Sequence, residues 1–222
     1  MAELETVVYV HMKTAVELLF YEDFANLKRL IPTIYEYVDI IFAIDGKHWT
    51  DTKNYEFSSD GSRELLLSYD NIILVTRHNY EWKKRQYVCN LCRLYDFPDL
   101  IIIDSDEYVI GDWNLFKENW QKAITNDSYN ENCGLYKLPI QRLDAPYAYS
   151  WQPVLWHNPW HFFYQGRHDY FKRNNEASTY YIRSYQNVEG IKLNHDHLLR
   201  TPEHMKIRDK QLKWQQSINT PL

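Results

Sequence analysis

Residues 100–107 read Leu-Ile-Ile-Ile-Asp-Ser-Asp-Glu, an apolar run rich in β-branched side chains that stops at carboxylates. A run of this length and composition suits a strand buried on both faces, and such strands belong to parallel sheets covered by helices. It delivers acidic side chains to the carboxyl edge of a sheet, where open α/β folds bind ligands. On an extended chain Asp104 and Asp106 share a face, because side chains two apart point the same way. Together they suit one hard divalent cation, Mg²⁺ or Mn²⁺, held through oxygen. The same residues also suit a strand ending in a solvated acidic turn, so the rest of the chain has to decide.

The pattern around that run is an alternation of strand and helix. Residues 6–10 read as a first strand, and residues 14–31 carry Val16, Leu19, Phe20, Phe24, Leu27 and Leu30 at helical spacing up to Pro32. A second strand over 38–44 ends at Asp45-Gly46 and is followed by a polar loop containing Ser58, Ser59, Asp60 and Gly61. A helix over 62–69, a strand over 72–75, a helix over 81–95 and a strand over 100–103 complete the first half. This order predicts an α/β fold with a largely parallel central sheet flanked by helices, Rossmann-like. Beyond the acidic run, Asp112 reads as the cap of a helix over 113–124. Short strands at 135–139, 154–157, 161–164 and 193–199 then predict a smaller antiparallel extension of the same sheet. The expectation is one domain over 1–222, with residues 1–110 and 111–222 as its two functional halves.

Several classes fall away on composition. Net charge is −5 and the densest basic cluster is Lys83-Lys84-Arg85, so no nucleic-acid surface is expected. Three cysteines leave an odd thiol, which argues against a disulfide framework. Cys89 and Cys92 fall in the helix over 81–95, where they read as ordinary helix-face residues. No basic-then-apolar leader and no run of 18 apolar residues is present, so no transmembrane segment is expected and the cytoplasm is the default compartment. Aromatic content is 16%. Trp151, Trp156 and Trp160 suit stacking on sugar rings, although most such rings fill cores.

The series strand, Asp45-Gly46, polar loop with Ser59-Asp60-Gly61-Ser62, helix with Lys84-Arg85, strand, Asp104-Ser105-Asp106-Glu107 resembles the nucleotide-sugar-binding half of family-2-like glycosyltransferases of the GT-A fold. Downstream, Trp156-His157-Asn158-Pro159 and Tyr164-Gln165-Gly166-Arg167-His168-Asp169 resemble that family's acceptor-side segment. Lys192-Leu193-Asn194-His195-Asp196-His197 is similar to its late His-x-His strand. The chain departs from the pattern after its first expected strand, where Val10-His11-Met12-Lys13 stands in place of a polar base contact, and at Asp169, where Glu is frequent.

The resemblance implies a metal-dependent transfer of a sugar from a nucleotide-diphospho-sugar, UDP-linked, to a glycan or glycolipid acceptor. Negative charge builds on the departing phosphate oxygen, and Mn²⁺ or Mg²⁺ can neutralise it as a Lewis acid. Asp106 is then expected as a direct ligand, Asp104 as a ligand through water or a partner of the ribose, and His195 or His197 as the completing imidazole. Asp45 is expected at the base or ribose, where its alternative is a plain strand-to-turn residue. Lys84 and Arg85 are cations early in a helix, against its dipole, which points to a diphosphate or uracil contact. For an inverting transfer Asp169 is the candidate base and His168 its orienting neighbour or substitute. A retaining enzyme would need a different group beside the anomeric carbon, and spacing does not separate the two. Two other readings stand beside this one: a carbohydrate-binding protein without activity, and a metal-dependent nucleotidyltransferase, which would normally carry a Gly-rich phosphate loop absent from residues 10–16.

Overall fold

The computed structural model describes residues 13–47, 57–77, 81–126, 134–142, 149–164, 171–173 and 186–196. Its elements are β1 (Thr14–Phe20), α1 (Phe24–Leu30), β2 (Ile40–Asp45), α2 (Ser62–Leu67), β3 (Ile72–Thr76), α3 (Glu81–Tyr95), β4 (Asp99–Asp104), β5 (Glu107–Gly111) and α4 (Trp113–Asn126). They are followed by β6 (Gly134–Arg142), β7 (Tyr149–His157), β8 (Phe162–Tyr164), β9 (Phe171–Arg173), β10 (Gln186–Asn187) and β11 (Ile191–His195).

Nine strands form one sheet in the order β3-β2-β1-β4-β7-β6-β11-β5, with β10 beside β6, while β8 and β9 pair as a separate ribbon. β3, β2, β1 and β4 are mutually parallel. β7 is antiparallel to both β4 and β6, and β5 to β11, as expected of an antiparallel extension, whereas β11 and β10 run parallel to β6, so the second half is mixed. The chain runs outward from β1 through β2 to β3, then returns to place β4 on the other side of β1. That reversal opens a crevice outside the carboxyl ends of β1 and β4.

Alternation along each strand fills two cores. Val16 and Leu18 of β1, Ile41 and Ala43 of β2, and Ile101 and Ile103 of β4 pack with Leu27 and Leu30 of α1, Leu66 of α2, and Phe116 and Trp120 of α4. Their neighbours Ala15, Phe42, Ile44, Leu100 and Ile102 pack with Val88, Cys89 and Cys92 of α3. Fully burying one such aliphatic side chain is worth about 1.5–3 kcal/mol, so this two-sided run of Val, Ile and Leu dominates the fold's stability. Cys89 and Cys92 are free and buried here, and burial pushes both thiols up.

One element differs from its sequence reading. Residues 14–20 form the central strand β1, not the start of a helix; the α-helix is confined to Phe24–Leu30, followed by a 3-10 turn over Ile31–Thr33. The apolar residues of 14–20 fit helical spacing, but a strand can send Val16 and Leu18 to one core and Ala15 to the other. The strand expected at 6–10 lies outside the described residues. Among the described residues, no helix is long and apolar enough to cross a membrane.

Candidate active site

At the end of β2 the buried carboxylate of Asp45 turns toward α2. The backbone N–H of Ser58 donates to both its oxygens at 3.0 Å, Ser58 Oγ donates at 2.7 Å, and Arg63 Nη1 of α2 donates at 2.6 Å. Asp45 thereby fastens the loop that precedes α2. The same loop is tied to the exit of β1: Glu22 N donates to Ser58 Oγ at 2.8 Å, Ser59 N to Glu22 Oε1 at 2.7 Å, and Phe24 N to Asp60 Oδ2 at 2.9 Å. Gly61 makes the turn into α2 with φ +93°, a conformation that costs glycine little. The polar residues seen in the sequence thus build one wall of the crevice.

Helix α3 supplies the cations from the opposite face. Lys84 is buried and its Nζ donates to the Gly46 carbonyl at 2.5 Å; burial lowers its pKa to about 8. Arg85 spans β1 and the end of β4 on that face. Its Nη1 donates to Glu17 of β1 at 2.5 Å, its Nη2 to Asp104 at 3.0 Å, and Nη2 and Nε to Glu81 at 2.8 and 3.0 Å. Burial pushes Glu17 up to about 7, an effect larger than the opposing attraction of Arg85.

Ser105 and Asp106 form a tight turn that joins β4 to β5, where the sequence suggested an extended stretch. The two aspartates accordingly engage different neighbours, Asp104 toward Arg85 of α3 and Asp106 toward β11. Asp106 is buried, with Oδ2 at 2.7 Å from His195 Nε2. The pairing of His195 with Glu107 across β11 and β5 brings that imidazole to the turn. Asp196 N donates to the Asp106 carbonyl at 3.0 Å, while Arg29 of α1, stacked over the Tyr108 ring, pairs with Asp196 at 2.5 Å. Ser105 Oγ hydrogen-bonds the carboxylate of Asp23. Glu107 accepts from Asp104 N at 2.9 Å, and burial first, then the nearby Asp104 charge, holds its carboxyl well above the usual range.

The donor chemistry of this edge suits a hard divalent cation. Asp104, Asp106 and Glu107 stand within one turn, with His195 against Asp106. Among the described residues no group of three or more His, Cys, Asp or Glu side chains is placed to hold a metal ion by itself. One or two carboxylates completed by substrate phosphates is the usual arrangement for Mg²⁺, so an incomplete protein shell is compatible with such an ion.

Of the residues singled out in the sequence, Asp45, Lys84, Arg85, Asp104, Asp106 and His195 all lie at the carboxyl ends of β1, β2 and β4 or on the elements that abut them. His168, Asp169 and His197 lie outside the described residues. Trp156 is buried in the core beside α3 and Trp160 packs against it, so both rings serve packing. Sequence reading missed Glu17, Arg29, Arg63 and Asp196. A glutamate inside the otherwise apolar run Ala15–Phe20 was a visible signal; the partners of the other three required the fold.

No protein-family model matches the chain, and no curated protein matches it in sequence. Solved structures do match. S. aureus TarS (residues 1–349, in complex with UDP-GlcNAc) superposes with a TM-score of 0.52 at 13% identity, over 88% of this chain and 61% of that one. GalNAc-T7, in a structure with UDP, GalNAc and Mn²⁺, gives 0.50 at 11% identity, over 89% of this chain and 48% of that one. The chain thus spans about half the length of the solved structures it matches. The fold is GT-A-like.

Proposed function

We propose that this chain is a metal-dependent glycosyltransferase that moves a sugar from a UDP-linked donor to a hydroxyl of a glycan or glycolipid acceptor, with inversion. The observation that carries this reading is the acidic turn at the end of β4, where Asp104 pairs with Arg85 and Asp106 with His195, on a GT-A-like sheet. Residues 1–110 form the donor half and residues 111–222 the acceptor half, working in the cytoplasm.

Asp104 and Asp106 would hold Mn²⁺ or Mg²⁺, joined by His195 or His197. The bound ion supplies positive charge to the diphosphate as it departs. Lys84 and Arg85 would support the donor side from beneath, through the Gly46 carbonyl and Asp104, and Asp45 shapes the nucleoside wall through the loop it fastens. Asp169, oriented by His168, takes the proton of the acceptor hydroxyl as its oxygen bonds to the anomeric carbon. The bond from that carbon to the diphosphate breaks, and the electron pair leaves with UDP.

The test is a panel of nucleotide sugars incubated with the protein and Mn²⁺. Slow release of UDP from one donor is expected even without acceptor, since water can take the acceptor's place. If no member of the panel is bound or cleaved, the reading is wrong.

A further inference from the structure

Glu17 lies in the middle of β1, the strand on which the crevice is built, and it is 0% exposed. It points to the α3 face among Ala15, Phe42, Val88 and Cys89, an apolar setting in which a carboxylate is costly. Stability does not account for it. Apolar residues of similar volume in place of a buried ion pair commonly leave a fold equally or more stable. What Glu17 does have is Arg85, and Arg85 reaches the edge of the site.

The guanidinium is planar, with donors in a fixed fork, so anchoring one nitrogen sets the direction of the others. Glu17 anchors Nη1 at 2.5 Å, and Nη2 then meets Asp104 at 3.0 Å. Another partner, Glu81, has a side chain 39% exposed, and that of Asp104 is 46% exposed, so water competes for both. Arg85 itself is 4% exposed. Of these three carboxylates Glu17 is the one sealed from solvent, and it therefore holds the geometry.

We propose that Glu17 is a positioning residue of the donor site, fixing the Asp104 carboxylate at the crevice through Arg85. The inference rests on the function proposed above, because it gives Asp104 a ligand to meet. It extends that reading to a residue that touches neither sugar nor nucleotide.

The experiment is calorimetric titration of UDP, with and without Mn²⁺, into wild type, Glu17→Gln, Asp104→Asn and the double variant, with thermal melts of each. Glu17→Gln keeps the side chain's shape and an acceptor for Arg85 while removing its charge. It should melt no lower than wild type at neutral pH and lose about tenfold in Mn²⁺-linked UDP affinity. In the Asp104→Asn background it should change nothing further, since its effect passes through Asp104. A metal-linked affinity within twofold of wild type, or the same loss with and without Asp104, overturns the proposal. If wild type shows no metal-linked UDP binding, the proposed function fails instead. The positioning claim is then decided by crystal structures of Glu17→Gln and Glu17→Leu: it stands if Arg85 has left Asp104 in the leucine variant, and falls if Nη2 remains bonded to Asp104 in both.

Discussion

At the side chain of Glu17, burial in β1 outweighs the attraction of Arg85 and moves the carboxyl from 4.5 to about 7. The folded chain therefore holds this proton more tightly than the unfolded chain. That contribution to stability is complete below pH 4.5 and is lost as the pH rises through 7. Glu17→Gln cannot ionise, so its melting temperature is expected to gain on that of wild type between those values. A difference that stays constant with pH would mean that Glu17 does not titrate in that window. Asp169 carries a prediction of another kind, because its proposed role is confined to the acceptor proton. Asp169→Asn is expected to lower sugar transfer at least about a hundredfold, the scale of general-base catalysis, while metal-linked UDP binding stays near wild type. Unchanged turnover in that variant would remove Asp169 from the role.

Among the elements, α4 and the β5–β11 pair show how short-range chemistry holds the acidic turn in place. Asp112 caps α4, with Oδ1 accepting from Asn114 N at 2.9 Å and Leu115 N at 3.1 Å. Asp112→Ala is expected to cost about 1 kcal/mol in denaturant unfolding. Gly190 packs against the same helix start with φ +121°, and a Cβ there would lie 2.3 Å from Phe116 N. Gly190→Ala is expected to cost at least about 2 kcal/mol and to displace β11, weakening the approach of His195 to Asp106. An alanine variant as stable as wild type would show that this junction can shift freely.

The same elements show what could be read from residues alone. The helix over 81–95 was legible to the residue because its length and polar face allow no strand, and β4 was legible because four apolar residues in a row suit only a strand buried on both sides. Residues 14–20 were misleading, since a run that is apolar on both faces satisfies helical and extended spacing at once. β5 was missed because Glu107–Gly111 follows a turn whose carboxylates read as the end of structure. Asp45, Asp104 and Asp106 were visible as strand-end acids. Their partners Ser58, Arg63, Arg85 and His195 come from other elements, and that part of the site exists only once the sheet order is known.

Across the whole molecule, the carboxyl edge of the sheet carries its acids in pairs with bases: Arg63 with Asp45 at β2, Arg85 with Asp104 at β4, and His195 with Asp106 and Arg29 with Asp196 beside β11. The half-exposed Asp104 and its turn neighbour Asp106 stand together at the end of β4. An anionic diphosphate entering over β1 and β4 meets that acidic group, so its binding should require a cation to offset the repulsion. The central claim is therefore tested most directly by calorimetric titration of UDP into the wild-type protein and Asp106→Asn, each with Mn²⁺ and with a chelator. The account predicts UDP binding to wild type that depends on Mn²⁺ and is lost in Asp106→Asn. Equal UDP binding with and without the metal, or unchanged metal-linked binding in the variant, would contradict it.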